Sequence, residues 1–188
     1  YKERFANAAD FHFYFVGNIN DAQMVAFSEQ YLASLPSTKA KKESVTDLGY
    51  RKIVGDHKKI IKKGKDPKST VRIMFYGDCE YNAKEDLALK ALGDVLTIKL
   101  IEELRENESG VYGVSANGNI SKTPYGNYNF NIGFPCGPEN AEKLVDSALR
   151  ELQKMIDNGP EEKDLEKFKE AERLSFKEDI KENKYWMD

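Results

Sequence analysis

Residues 82–107, NAKEDLALKALGDVLTIKLIEELREN, carry the most regular apolar pattern in the chain. Leucines recur at steps of three or four residues, which is the spacing of one face of an α-helix: Leu89, Leu92, Leu96, Leu100 and Leu104. The pattern predicts a long amphipathic helix that buries this face. It should end at Ser109-Gly110, where glycine is expected to take the positive φ of a helix C-cap.

Extended segments flank this helix on both sides. Before it, residues 58–63 and 70–76 are joined by a link with Gly, Asp and Pro, which suits a turn between antiparallel strands. After it, residues 111–120 and 125–134 alternate in polarity around Ser-Lys-Thr-Pro, which is typical of a hairpin. Another strand is predicted at residues 10–17, where aromatic residues precede Gly17.

Three more helices complete the pattern. The first covers Asp21 to Ala33, the second follows Gly137-Pro138-Glu139-Asn140, and the third begins at Glu161. The expected buried residues of the last two are Leu144, Val145, Ala148, Leu152, Met155 and Ile156, then Leu165, Phe168, Ala171 and Leu174. The order β-α-β-β-α-β-β-α-α predicts an α+β fold in two layers, with helices on one face of a mostly antiparallel sheet.

Composition bounds the function classes. The chain has 188 residues, 29 Lys+Arg and 32 Asp+Glu, for a formal net charge of −3. This mixed-sign, globular composition excludes disordered classes and argues against nucleic acid as the main partner. The longest near-apolar stretch, Phe11 to Val16, is far too short for a membrane span. Because the chain lacks an initiator Met and stops just after a helical run, we expect residues 1–188 to be a single domain from a longer multidomain chain.

A metal site is not expected in this chain. Zinc needs three or four His, Cys, Asp or Glu ligands at workable spacing, and the only histidines are His12 and His57. We interpret both as ordinary polar side chains and expect no cofactor. Cys79 and Cys136 could pair or stay free, and the simpler expectation is one buried thiol on each of two strands.

Basic residues concentrate between Lys39 and Lys68, which hold 11 Lys+Arg against 4 Asp+Glu. This stretch could bind an anionic surface, or it could be a solvated loop followed by an exposed, lysine-flanked strand.

The segment Leu104 to Val114, LRENESGVYGV, is the strongest candidate for chemistry. It carries Arg105 on the last turn of the long helix and Tyr112 at the start of the next strand. A guanidinium and a phenol both donate hydrogen bonds without being deprotonated, which suits a peptide carbonyl or a developing oxyanion. The helix dipole alone also favours a basic residue at that position, so both interpretations stay open.

This segment resembles the signature of the C-terminal half of M16 metallopeptidases, the family of pitrilysin and insulin-degrading enzyme, in which an Arg and a Tyr seven positions later follow a long helix. Four other segments look like bacterial zinc proteases of the same family. They are residues 4–11 (RFANAADF), 31–36 (YLASLP), 134–140 (FPCGPEN) and 183–186 (NKYW).

The resemblance implies the last of four similar domains, which forms the far wall of a closed chamber. Zinc would then be bound by an HxxEH motif in an early domain, and no such motif occurs here, so this chain should be inactive alone. Arg105 and Tyr112 would bind the substrate carbonyl and stabilise the transition state. The implied partners are a peptide or protein substrate and the N-terminal catalytic half, in the same chain or in a partner subunit. The implied location is the bacterial periplasm or envelope.

Two other functions stay open. The family includes non-catalytic members, so the chain could be a structural or peptide-binding subunit. It could also be an unrelated anion-binding α+β domain that uses the lysine-rich stretch.

Overall fold

The computed structural model describes residues 1–38, 44 and 46–187, and the chain divides into two compact units. One unit comprises Tyr1–Thr46 with Glu172–Asp188, and the other comprises Asp47–Ala171. The helices are α1 (Lys2–Phe5), α2 (Asp21–Phe27), α3 (Ala83–Leu100), α4 (Ala141–Asn158), α5 (Glu162–Asp179) and α6 (Asn183–Met187). The strands are β1 (Ser69–Asp78), β2 (Ser115–Ser121) and β3 (Asn127–Cys136).

Two of the helices change geometry at their C-terminal ends. α2 continues as π-helix over Ser28–Leu32, and α3 continues as π-helix over Ile101–Asn107. Short 3₁₀ turns cover Ala8–Asp10 and Pro138–Asn140. The helix predicted from Asn82 to Asn107 is therefore present as one α-helical and one π-helical part, with Asn82 as its N-cap.

The three strands of the larger unit form an antiparallel sheet in the order β1-β3-β2. Its core lies between one face of the sheet and two helices, α3 and α4. Its most deeply buried apolar side chains are Val95, Leu96, Leu100, Leu104, Ala116, Phe130, Ile132, Phe134, Leu144 and Ala148. This arrangement confirms the α+β fold, and the buried leucines confirm the predicted face of α3.

α3 contacts β2 very closely at Gly93. A Cβ on that glycine would lie 2.9 Å from the carbonyl oxygen of Ala116. One turn later, the Thr97 hydroxyl donates to the Gly93 carbonyl (2.8 Å) and accepts from the Ala116 backbone N–H (2.8 Å). Because the helix backbone at Gly93 and the Thr97 hydroxyl both contact β2 directly, no side chain lies between α3 and the strand at this point.

Two predicted strands are wrong. Residues 10–17 and 58–63, all of them described, form no strand, and their apolar side chains are largely exposed, as Tyr14 (75%) and Ile61 (76%) show. β propensity identifies an apolar segment that fits a pleated surface, but a strand also needs a neighbour whose N–H and C=O groups pair with its own. No such pairing forms along these residues.

The predicted apolar faces of the last two long helices also extend too far. Ile156 in α4 and Leu174 in α5 are 66% and 62% exposed, whereas Leu144, Ala148 and Phe168 contact the core as expected. A helical repeat of apolar residues shows which face could be buried, but not how far along the helix a packing partner extends.

Both cysteines are free. Cys136 ends β3 and lies opposite Ser69, the first residue of β1, whereas Cys79 follows the last residue of β1 and donates its backbone N–H to Gly126. The two thiols are therefore at opposite ends of the sheet, about 30 Å apart at the usual rise per residue. That separation excludes a disulfide between them.

In the smaller unit, several aromatic side chains contact one another. Phe5 lies 4.7 Å from Tyr1 and 5.9 Å from Phe11, measured between ring centroids, and Tyr185 lies 5.4 Å from Trp186. Asn7 joins the segments before and after α2, because its Oδ1 accepts from the backbone N–H groups of Ala9 and Thr38.

A buried ion network joins α3 to the start of α5. The Asp164 carboxylate is fully buried, and the Lys99 ammonium lies 2.9 Å from it and 2.6 Å from Glu161. Lys167 approaches the other oxygen of Asp164 at 3.1 Å. Burial opposes the charged form of Asp164, but the two ammonium groups outweigh it and hold the pKa of this carboxyl below its usual value.

We expect Asp164→Ala to lower the free energy of unfolding by about 3 kcal/mol, because it leaves Lys99 without its buried partner. Since the folded-state pKa of Asp164 is lowered, its contribution is present above the unfolded value near 3.9 and is lost as the pH falls through the folded value. Denaturant unfolding at neutral and acidic pH measures both effects. Glu178→Ala on the same helix breaks an exposed pair and should change stability by less than about 1 kcal/mol. Equal effects of the two substitutions would contradict this assignment.

Candidate functional site

Arg105 lies in the π-helical end of α3 and is exposed. The residue directly before it, Leu104, is completely buried in the core. The backbone of Arg105 is therefore held while its guanidinium is open to solvent. π-helical turns are rare and occur frequently at functional sites.

Tyr112, like Arg105, is an exposed residue directly after a buried one. It is 94% exposed, and it directly follows Val111, which is buried and forms an isolated bridge with Cys136. The residue lies in a bend three positions before β2. Both candidate side chains are thus at the surface beside a buried residue, and neither has a hydrogen-bond partner in the described part of the chain.

The turn between them differs from the prediction at its glycine. Ser109, not Gly110, takes the positive φ (49°). Gly110 instead makes room for Leu144: a Cβ there would lie 2.6 Å from a Leu144 methyl group, so that side chain would have to shift. The Gly110 backbone N–H donates to the Leu104 carbonyl (2.9 Å), which closes the helix end.

Glu108 attaches this turn to α4. Its carboxylate accepts a hydrogen bond from the fully buried Ser147 hydroxyl and lies 2.7 Å from the Lys143 ammonium. Arg150 in turn donates to Ser147 (2.8 Å). Lys143 and Ser147 together hold the pKa of the Glu108 carboxyl below its usual value, although burial opposes them. The sequence alone does not point to Glu108, because its partners Lys143 and Ser147 are 35 and 39 positions away in the chain.

Zinc does not fit the described residues of this chain. In the ranges 1–38, 44 and 46–187, no three His, Cys, Asp or Glu side chains are grouped so that they could hold a metal ion. His12 stacks on Tyr14, with ring centroids 6.5 Å apart, and His57 Nε2 lies 3.0 Å from the Val54 carbonyl oxygen. His12 was expected in a strand and is not in one.

The lysine-rich stretch is described only in part, since residues 39–43 and 45 lie outside the described ranges. Some of its described cations have partners within the chain. Arg51 pairs with Asp47 and stacks on Tyr125, with 3.8 Å from Cζ to the ring centroid. Lys58 pairs with Glu142 at the start of α4. These contacts within the chain favour a structural role, rather than anion binding, for this part of the basic segment.

Comparison with known proteins shows the family of the chain as a whole. Residues 1–172 match the family described as "Peptidase M16 inactive domain". The chain belongs to this family. The predicted relationship to M16 metallopeptidases is confirmed, and the M16 inactive domain is a component of zinc protease-like proteins.

Named relatives agree with this membership. The M16 domain is 28% identical to the "Probable zinc protease PqqL" of Haemophilus influenzae over 89% of its own length. It is 32% identical to the "Zinc protease PQQL-like" of Arabidopsis thaliana over 52% of its length. The chain spans about a fifth or less of these relatives, 18% and 11% respectively.

Solved structures share the fold. The periplasmic protease PqqL from Escherichia coli matches 90% of this chain with a TM-score of 0.73 at 21% identity, and the chain covers 19% of it. The first half of the same protease also matches, with a TM-score of 0.62 at 14% identity over 88% of this chain and 36% of that one. The same fold therefore occurs in the first half of that enzyme too.

Hydropathy adds one further finding. Among the described residues, no helix is both long enough and apolar enough to cross a membrane.

We expect Glu108→Ala to loosen the turn between Arg105 and Tyr112 by about 1–3 kcal/mol, because it leaves the buried Ser147 hydroxyl without its acceptor. Hydrogen exchange of the Gly110 amide measures this local opening. Because the folded-state pKa of Glu108 is lowered, the wild-type protection should be present above about pH 4.3 and fall as the pH drops through the folded value. Glu106→Ala, an exposed neighbour on the same turn, serves as control. Unchanged protection in Glu108→Ala would show that the turn does not depend on this carboxylate.

Proposed function

We propose that residues 1–188 are one domain of a longer zinc-dependent endopeptidase and provide its substrate-binding wall. In this proposal, Arg105 and Tyr112 bind the carbonyl of the substrate peptide opposite a zinc site that another domain carries. The observation that supports it is the paired arrangement described above: each exposed donor directly follows a buried residue, Leu104 or Val111. Family membership and the names of the relatives supply the reaction class.

The chemistry follows from the two donor groups. A guanidinium remains protonated at any physiological pH, and a neutral phenol donates a hydrogen bond through its hydroxyl group. Both hydrogen bonds strengthen as negative charge develops on the carbonyl oxygen, so they favour the transition state over the ground state. The zinc of the whole protein would supply the activated water for hydrolysis.

The anchoring of the segment supports this role. Donors stabilise a transition state only when they are held in place before the reaction. Here Leu104 and Val111 are buried on either side of the turn, and Glu108 attaches it to α4. Because the backbone of this segment is held, substrate binding has to order only the two donor side chains.

We infer the same compartment for the whole protein as for the Escherichia coli relative, which is described as a periplasmic protease. The partners in this proposal are a peptide or protein substrate and the catalytic half that carries zinc.

A second candidate is a non-catalytic, peptide-binding member of the family. The description of the matched family as an inactive domain agrees with this candidate as well as with the first, since it concerns one domain only. The two candidates differ in the remainder of the protein, where an HxxEH motif would indicate a peptidase and its absence a scaffold.

In the full-length protein, we expect Tyr112→Phe and Arg105→Ala each to lower kcat by about 10²-fold, since each removes one transition-state donor. Peptide hydrolysis gives kcat and KM, and metal analysis should show unchanged zinc. Two controls should retain normal turnover. Tyr50→Phe removes the hydroxyl of another exposed tyrosine, and Lys84→Ala removes an exposed cation at the start of α3. Normal turnover in both site variants would refute their assigned role.

For the isolated chain of residues 1–188, we expect no peptide hydrolysis and no stoichiometric zinc after dialysis, because its described residues do not form a zinc site. Atomic absorption on the purified chain and a peptidase assay with added zinc test this. One tightly bound zinc per chain would overturn it.

A further inference from the structure

The sheet has a second face, opposite to α3 and α4, and its chemistry is unusual for this protein. Although 32% of the residues in the chain are charged, β2 (SANGNIS) and β3 (NYNFNIGFPC) contain no charged residue. Their residues alternate between the two faces, and Ala116, Phe130 and Ile132 are buried toward the helices. The opposite positions carry five asparagines, of which Asn127 is buried. The other four, which we call the amide face, are Asn117, Asn119, Asn129 and Asn131.

The register of the strands arranges these asparagines in pairs. Asn117 lies directly opposite Asn131, and Asn119 lies directly opposite Asn129. Side chains in such positions are about 5 Å apart. Successive pairs are two residues apart along the strands, about 6.8 Å, which is also the repeat of an extended polypeptide.

Part of the hydrogen-bonding capacity of the amide face is unused. Asn119 donates to the Ser121 hydroxyl (3.0 Å), and Asn129 donates to the Asn127 side-chain oxygen (3.1 Å). Asn117 is exposed and Asn131 is half-buried, and neither side chain has a hydrogen-bond partner among the described residues. One pair of amides is therefore free to bind something else.

A primary amide carries a donor and an acceptor side by side, as a peptide unit does, so it can pair with main-chain N–H and C=O groups. Because the four asparagines lie on two strands without charges, the amide face matches a neutral ligand better than an ionic one. Space is available in the next row toward Tyr112, where a Cβ on Gly133 would meet only the Val71 carbonyl oxygen, at 3.8 Å. In that row Ser115 of β2 and Arg72 of β1 lie on either side of the glycine, so the uncharged surface ends there. It is also bordered on the β1 side, where Tyr76 pairs with Asn129 and Lys52 Nζ lies 4.9 Å from the centroid of the Tyr76 ring.

We propose that the amide face binds an extended, uncharged stretch of substrate main chain that runs along β2 and β3 away from Tyr112. This inference rests on the proposed function, since it assigns to the same substrate a second set of contacts beyond its carbonyl. Asn117 and Asn131 bind the main chain through their free amides, and Asn119 and Asn129 contact the repeat two residues further on. Side chains of the peptide contribute little, so the surface selects extended conformation and neutrality rather than sequence.

The test uses the full-length protein and a fluorescein-labelled peptide of alanine, serine and glycine, with binding followed by fluorescence anisotropy. A second peptide carries N-methyl groups at alternate residues, which removes main-chain donors without adding charge. We expect the double variant Asn117→Ala, Asn131→Ala to bind the unmodified peptide about tenfold more weakly, the effect of losing two modest hydrogen bonds. The N-methylated peptide should bind the wild type and the variant equally weakly.

Two controls keep this result interpretable. Asn158→Ala removes an exposed asparagine at the end of α4 and should leave peptide affinity unchanged. The double variant Asn117→Ser, Asn131→Ser keeps a short hydroxyl in the same positions and should be intermediate, which separates loss of contacts from loss of folding. Wild-type affinity in the alanine variant, or the same N-methyl penalty in both proteins, would overturn the proposal.

The peptide-binding test and the turnover test can fail independently of each other. Normal peptide affinity in the asparagine variants overturns the amide face, whatever Arg105→Ala and Tyr112→Phe do to kcat. Normal turnover in those site variants, together with weakened binding in the asparagine variants, overturns the carbonyl-binding role and leaves the amide face supported.

Discussion

The close contact between α3 and β2 determines where everything else in the larger unit lies. Gly93 brings the helix backbone against the Ala116 carbonyl. The Thr97 hydroxyl donates to the Gly93 carbonyl and accepts from the Ala116 backbone N–H. With the helix fixed there, Leu96, Leu100 and Leu104 fall on the inner face of the sheet. The π-helical segment that carries Arg105 continues from the end of this helix.

The long helix, the hairpin and α4 could be predicted because each has a complete local signal. The Leu89–Leu104 spacing is a property of one segment, and so is the alternation of β2 and β3. The segments at 10–17 and 58–63 have the composition of strands, but pairing is a property of two segments, and the sequence does not indicate the second. The same limit applies to Glu108 and Asp164, whose partners are far away in sequence.

The candidate site was only partly accessible from sequence. Arg105 and Tyr112 were identified by their chemistry and by a family resemblance, and their exposure beside buried residues is new information from the structure. The role of Gly110 was attributed to backbone φ, whereas it depends on the Leu144 side chain across the core. The sequence contains alternating asparagines in β2 and β3, but only the register of the strands shows that they face each other in pairs.

The positions of the two thiols have a consequence for how the chain can be handled. Cys79 and Cys136 lie at opposite ends of the sheet, and the helices and strands are held by packing and hydrogen bonds rather than by a covalent crosslink between them. Reducing agents therefore remove nothing that holds the larger unit together, and its folding needs no oxidant. The domain can adopt the same structure before and after any transfer between reducing and oxidising surroundings.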